Sequence, residues 1–364
     1  MIGHARWLLW EGYSEGFVKH PQDYSLVGKV FVYVFSVFRY GHQAVMFFFI
    51  LSGFLIHLKY SRQLAHNPSR KFGLKDYLYK RIKRIYPPFL FALLLTFLLD
   101  VWGIGMDYTI YFGKTPNNLL NSNISVNHSL INLVGNLFFL QNENIVIWGT
   151  NNPLWSLKYE WWFYLIYPLV FLINRKSVFA SLIFVLMVFA TASFIQVREG
   201  YFFSSVFQYL FLWWLGTFLA DIYTKRIKLN FFYLSFFVLI LPVMVLVGGQ
   251  FTSVLLADTF WALGFFGLLS CFFYLQHRGV TFSWTKKIKW LGDCSYTMYI
   301  IHFPILVLFN GVILHFTNNT MPKSLVFCVA AIVFVTGFSY LIHFIIEKPF
   351  ISKRAVVSNS GYNN

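Results

Sequence analysis

Residues 153–173 read PLWSLKYEWWFYLIYPLVFLI, an apolar and aromatic run in which Lys158 and Glu160 are the only basic and acidic residues. As a helix rising 1.5 Å per residue it would cover roughly 30 Å, the thickness of a bilayer's hydrocarbon core. An ionised carboxylate is expensive in such a span, so Glu160 must face a partner or a wet cavity. Ser156, Glu160, Phe163 and Tyr167 recur at helical spacing on one face, which gives the carboxylate a partly polar surround.

Outward from this stretch the pattern repeats. Further apolar spans cover 41–58, 85–102, 177–196, 202–221, 231–247, 254–275, 294–314 and 324–346. Residues 131–148 are apolar too, but Gly135, Asn136, Gln141, Asn142, Glu143 and Asn144 interrupt them, so a re-entrant or interfacial segment is expected there. Hydrophobic residues make up 58% of the chain and charged residues 12%, with a mean hydropathy of +0.61. Soluble domains carry about 25% charged residues, and no soluble core would hide this much apolar surface. The predicted fold is an all-α integral membrane bundle of about ten transmembrane helices, the first of them truncated.

The net charge of +16 raises nucleic acid as a partner, and the placement of the 29 Lys and Arg excludes it. They gather in alternate loops, nine in 59–84 and smaller groups around Arg175, Lys225, Arg278 and Lys348, which makes that side cytosolic. The Asn-rich stretch 103–152 then faces outward. Cys271, Cys294 and Cys328 fall within apolar spans and support neither a disulfide framework nor a cysteine metal site. No ligand-spaced group among the ten His and 13 acidic residues points to a metal.

Residues 1–10 would cover only about half a bilayer as a helix, yet the topology needs a whole helix rising from the cytosol before residue 11. The expectation is a native start some 15 to 25 residues upstream, by the length a spanning helix needs.

Three other segments carry candidate chemistry. Residues 41–56, GHQAVMFFFILSGFLI, end in a Ser52-Gly53-Phe54 break, where small residues let helices pack closely. Residues 79–88, YKRIKRIYPP, place Arg81 and Arg84 on one helical face, a spacing suited to bidentate phosphate binding; positive-inside anchoring alone would also explain the basic cluster. Residues 291–304, LGDCSYTMYIIHFP, put Ser295, Tyr299 and His302 on one face, a stripe that lines either a helix contact or a cavity. Near the end, Ile346-Glu347-Lys348-Pro349 closes the last span.

Taken in order, the FFxLSGFLI block, the Arg-x-x-Arg before proline, the WSLxxExxFY block, the GxxSYxxYxxH block and the terminal Glu-Lys-Pro resemble the acyltransferase-3 family of multi-pass membrane O-acyltransferases. The resemblance spans nearly the whole chain and implies transfer of an acyl group, usually acetyl, from acyl-coenzyme A to a hydroxyl of a cell-surface or envelope glycan, in the cytoplasmic membrane of a bacterium. The family places an Arg about eleven residues before a His on its first helix; here His4 matches the His, and the Arg position falls before Met1.

On this reading His4 and Glu160 are catalytic, His4 as base or transient acyl carrier, with Glu160 orienting it or holding its imidazolium. Arg81 and Arg84 bind the phosphates of acetyl-CoA. Ser52, Phe54, Trp155, Ser156, Tyr296, Tyr299 and His302 line the cavity. No metal takes part, and the partners are membrane lipid and a glycan or lipid-linked glycan acceptor. Residues 1–350 form the transmembrane domain and 351–364 a short cytosolic tail. A transporter or channel for an envelope precursor is the competing reading, since broken helices and intramembrane charges also mark substrate paths.

Overall fold

The computed structural model describes residues 1–67, 71–198 and 201–351. Arg70 of the basic loop and all of the expected cytosolic tail beyond Ile351 lie outside the described residues. The principal helices are α1 (Ile2–Leu9), α2 (Leu26–Ser36), α3 (Gly41–His66), α4 (Leu74–Gly105), α5 (Leu130–Leu137), α6 (Trp155–Lys176), α7 (Val178–Arg198), α8 (Leu210–Tyr223), α9 (Val254–His277), α10 (Ser295–Phe316) and α11 (Val326–Ile346). Among the described residues there is no strand, and eight helical runs are long and apolar enough to cross a membrane. These eight include α3, α4, α9 and α10, together with the runs Phe202–Tyr223 and Phe231–Gln250. Large apolar side chains such as Leu130, Leu246, Phe316 and Leu341 are exposed on the outside of the bundle, where lipid replaces water.

The expected span 153–173 forms as α6, but it is not among the eight. Its first turn meets the start of α10 through Ser156 and Tyr299. The segment before it brings it there. His128 and Trp148 pack against Phe97 of α4, while Phe139 packs against Phe89 and Tyr86 donates to the Leu137 carbonyl. Between Phe97 and Tyr86 the chain therefore descends about 16 Å along α4 and returns. Residues 128–151 are thus re-entrant, and only the remainder of the stretch 103–152 caps the outside.

Local chemistry explains why this backbone tolerates depth. Phe139 makes the tip with a left-handed φ of 55°, a conformation that strains a non-glycine residue, and its ring is fully buried against Phe89 and Trp161. Asn136 Nδ2 donates to the carbonyls of Asn132 and Val146, both at 2.8 Å, tying the two arms together. At the outer end the fully buried Asp100 accepts from the Thr150 amide at 2.9 Å, the Thr150 hydroxyl at 2.6 Å and His128 Nε2 at 3.1 Å. Irregular backbone survives in a membrane only when its polar groups are met in this way.

Two prolines contribute as well. Pro304 and Pro168 lack the amide that would bond the carbonyls of Ile300 and Tyr164. Asn151 Nδ2 donates to Ile300 O at 2.8 Å, and Tyr77 Oη donates to Tyr164 O at 3.0 Å. Each freed carbonyl becomes a fastening point between elements.

Helices α3 and α8 touch backbone to backbone. A Cβ on Gly53 would lie 2.1 Å from the Trp213 carbonyl oxygen, and one on Gly216 would lie 1.9 Å from that of Ile50. Gly53 is therefore a packing residue. Helix α1 runs alongside α10: His4 meets His302, Trp7 meets Phe303, and Asn310 Nδ2 donates to Leu8 O at 2.5 Å.

Candidate functional site

Helix α6 carries three polar side chains at positions i, i+4 and i+8, which share one face and span about 12 Å. The lowest, Tyr164, has the Arg81 guanidinium 5.5 Å from its ring centroid, and Arg81 also lies 5.6 Å from the Tyr77 ring. Arg81 Nε is buried without a hydrogen-bond partner, and Arg81 makes no ion pair among the described residues. Arg84, one turn further along α4, is exposed. Both arginines stand on the N-terminal half of α4, the half expected to lie toward the cytosol, and neither makes an ion pair among the described residues.

Glu160, in the middle, is hydrogen-bonded by the Tyr164 hydroxyl and by Ser52 Oγ at 3.3 Å. Ser52 in turn accepts from Trp213 Nε1 at 3.3 Å. Tyr296 closes this level from α10, with its hydroxyl donating to Ile85 O at 3.2 Å.

Ser156, at the upper end, lies 2.5 Å from Tyr299 Oη, which is also 2.5 Å from the Pro153 carbonyl. A carbonyl only accepts, so the tyrosine hydrogen goes to Pro153 and the serine hydroxyl donates to the tyrosine. One turn above Tyr299, His302 Nε2 lies 2.9 Å from His4 Nδ1, with the two rings stacked at 5.2 Å and 9°. His302 Nδ1 faces the carbonyls of Met298 and Tyr299, at 3.0 and 2.8 Å. It must therefore carry the hydrogen, which leaves His302 Nε2 as an acceptor. His4 Nδ1 donates to it. The lone pair of the neutral His4 is then at Nε2, and His302 sets that tautomer.

The structure thus joins Ser52, Arg81, Ser156, Glu160, Tyr296, Tyr299, His302 and His4 along one polar column. It corrects three expectations. Glu160 does not orient His4: its bonds go to Ser52 and Tyr164, and His302 takes that place. Phe54 does not line the column, because two residues past Ser52 it points about 200° away and packs on Tyr223 and Phe273. Ser295 leaves the expected stripe, being exposed and bonded to Gly292 O at 2.8 Å. Trp155 borders the column by packing on Tyr159 and His42. Tyr164 was missed because the face was counted through Phe163 and Tyr167.

Glu347 of the terminal Glu-Lys-Pro is a fastening residue. It is buried, accepts from the amide and hydroxyl of Thr297 at 3.2 and 2.6 Å, and lies 2.9 Å from His343 Nδ1. It holds the start of α10, and with it Tyr299 and His302, against the end of α11.

A helical bundle of this kind, pierced by a polar column with guanidinium groups at one end and paired imidazoles at the other, defines a multi-pass membrane protein with a buried polar site. The model of the acyltransferase-3 family, described as an acyltransferase domain, matches residues 16–344, and the chain belongs to that family. The matched range begins after His4. The chain is also 32% identical over 132 residues to an uncharacterized protein of Haemophilus influenzae; the match covers 36% of this chain and spans about half, 49%, of that relative's length. No solved structure matches the chain.

Proposed function

We propose that this protein is an O-acyltransferase of the bacterial cytoplasmic membrane, taking an acetyl group from acetyl-CoA on the cytosolic side and placing it on a hydroxyl of a cell-surface or envelope glycan. The observation that carries this reading is the His4–His302 pair, which presents an unprotonated His4 Nε2 at the top of a column whose base holds two arginines.

The chemistry follows from these groups. Arg81 and Arg84 hold the phosphates of the donor, with Arg81 braced between two tyrosine rings. The thioester arm runs up the column past Glu160, whose charge fixes the hydroxyls of Ser52 and Tyr164. His4 Nε2 takes the proton of the acceptor hydroxyl as its oxygen attacks the thioester carbonyl. The new C–O bond forms, the C–S bond breaks, and the proton passes to the departing coenzyme A thiolate. No external oxidant or energy source is needed, because an oxygen ester replaces a thioester.

The test uses protein reconstituted in proteoliposomes, with acetyl-CoA labelled in the acetyl group supplied on the cytosolic face. Label appearing in alkali-labile esters on glycan, with free coenzyme A released in equal amount, is the expected result. Movement of intact glycan with no new ester would overturn the reading in favour of transport.

A further inference from the structure

A second imidazole site flanks the column. His42, in the first turn of α3, has Nε2 at 3.0 and 2.9 Å from the two carboxylate oxygens of Asp258 on α9. Asp258 is 2% exposed and also accepts from Tyr209 Oη at 2.9 Å. A carboxylate only accepts, so the hydrogen is on His42 Nε2 and the lone pair of the neutral ring is on Nδ1. Among the described residues Nδ1 has no hydrogen-bond partner, although the side chain is 41% exposed in the first turn of its helix. The ring is held in place by Trp155, stacked on it at 5.3 Å and 18°.

The position of Trp155 ties this site to the column. Trp155 reaches His42, and the next residue, Ser156, reaches Tyr299, one turn below His302. The first turn of α6 therefore stands between the two imidazole sites. An interhelical fastening needs only the Asp258 contacts; it gives no reason for an oriented and vacant acceptor nitrogen. Asp258 repels anions, so phosphate is a poor ligand here, whereas a neutral hydroxyl can donate to Nδ1 without any charge being buried.

We propose that His42, oriented by Asp258, is a binding subsite for a neutral sugar unit of the acceptor, with Nδ1 accepting a hydrogen bond from one of its hydroxyls. The identity of that ligand as acceptor rests on the acyltransferase reading above; the subsite itself does not.

The probe is the oligosaccharide pool released by mild acid from the surface glycan of cells that make the protein. His42→Ala removes the acceptor, and Asp258→Ala removes the carboxylate that keeps the hydrogen on Nε2 and the lone pair on Nδ1. Both variants, checked for wild-type thermal unfolding, should raise the KM for the pool about tenfold while the KM for acetyl-CoA stays at its wild-type value, the loss of roughly one hydrogen bond. An unchanged KM for the pool in both would overturn the proposal. If the wild type transfers no acetyl group, the acyltransferase reading fails and retention of the pool on immobilised protein decides. Retention by the wild type and its loss in His42→Ala supports the subsite; equal retention, or none by the wild type, overturns it.

Discussion

His302 Nε2 accepts from His4 Nδ1 at 2.9 Å, and because His302 Nδ1 is committed to two backbone carbonyls the pair holds only one arrangement of hydrogens. On the acyltransferase reading proposed above, His302 is a positioning residue. His302→Ala should lower kcat by about 10- to 100-fold, the usual cost of releasing the partner of a functional imidazole, with the KM for acetyl-CoA little changed. His302→Gln keeps an oxygen that can accept from His4 and should recover part of the loss. Steady-state kinetics of the three proteins test this; equal activity in all three would count against it.

Glu160 sits between the arginines and the imidazoles, bonded to Tyr164 and Ser52. Glu160→Gln preserves shape and can still accept from Tyr164, so it separates charge from packing. Transfer should fall at least about tenfold with thermal unfolding unchanged, as expected when a charge-assisted bond becomes a neutral one. Full activity in correctly inserted protein would refute a role for the charge.

Arg81 and Arg84 differ in setting: one is wedged between the Tyr77 and Tyr164 rings, the other is exposed. The double change to Ala should weaken acetyl-CoA binding by about 100-fold, at roughly 1.4 kcal/mol per charged contact. Seven other basic residues in 59–84 keep the orientation. Calorimetric titration of donor into purified protein is the measurement, and wild-type affinity in the double variant would exclude the site.

Gly53→Ala tests the α3–α8 contact. The added methyl would lie 2.1 Å from a backbone oxygen that has nowhere flexible to move, so the helices must separate. A loss of about 1–3 kcal/mol, seen as a lower melting temperature in detergent, is expected for overpacking of this kind. Wild-type melting would show that the contact is looser than the structure has it.

Much of this was legible in the sequence, and the reasons for the rest are physical. Long apolar runs give the spans directly, because the bilayer sets their length. The polar interruptions at Asn136 and Gln141 likewise marked the re-entrant segment. The anchoring of the start of α6 was hidden, since nothing local in residues 153–173 marks the partners that Asn151 and Ser156 find on α10. Helical spacing put Glu160 beside Ser156 but chose Phe163 and Tyr167 over Tyr164, because two helical faces a few tens of degrees apart share the same apolar pattern. The exchange of Glu160 for His302 as the partner of His4 was beyond reach: the two histidines lie 298 positions apart, and no local periodicity joins them. Asp258 and His42, 216 positions apart, were silent for the same reason.

The central claim is that His4 Nε2 performs the transfer. The most direct measurement is a single turnover in proteoliposomes, with enzyme in excess over labelled acetyl-CoA and glycan acceptor present, comparing wild type with His4→Ala and His4→Gln. Acetyl ester should form on the glycan with wild type, and at a rate lower by about 10²–10⁴-fold in both variants, the range for loss of a general base, while donor binding persists. Ester formation by His4→Ala at the wild-type rate would contradict the account.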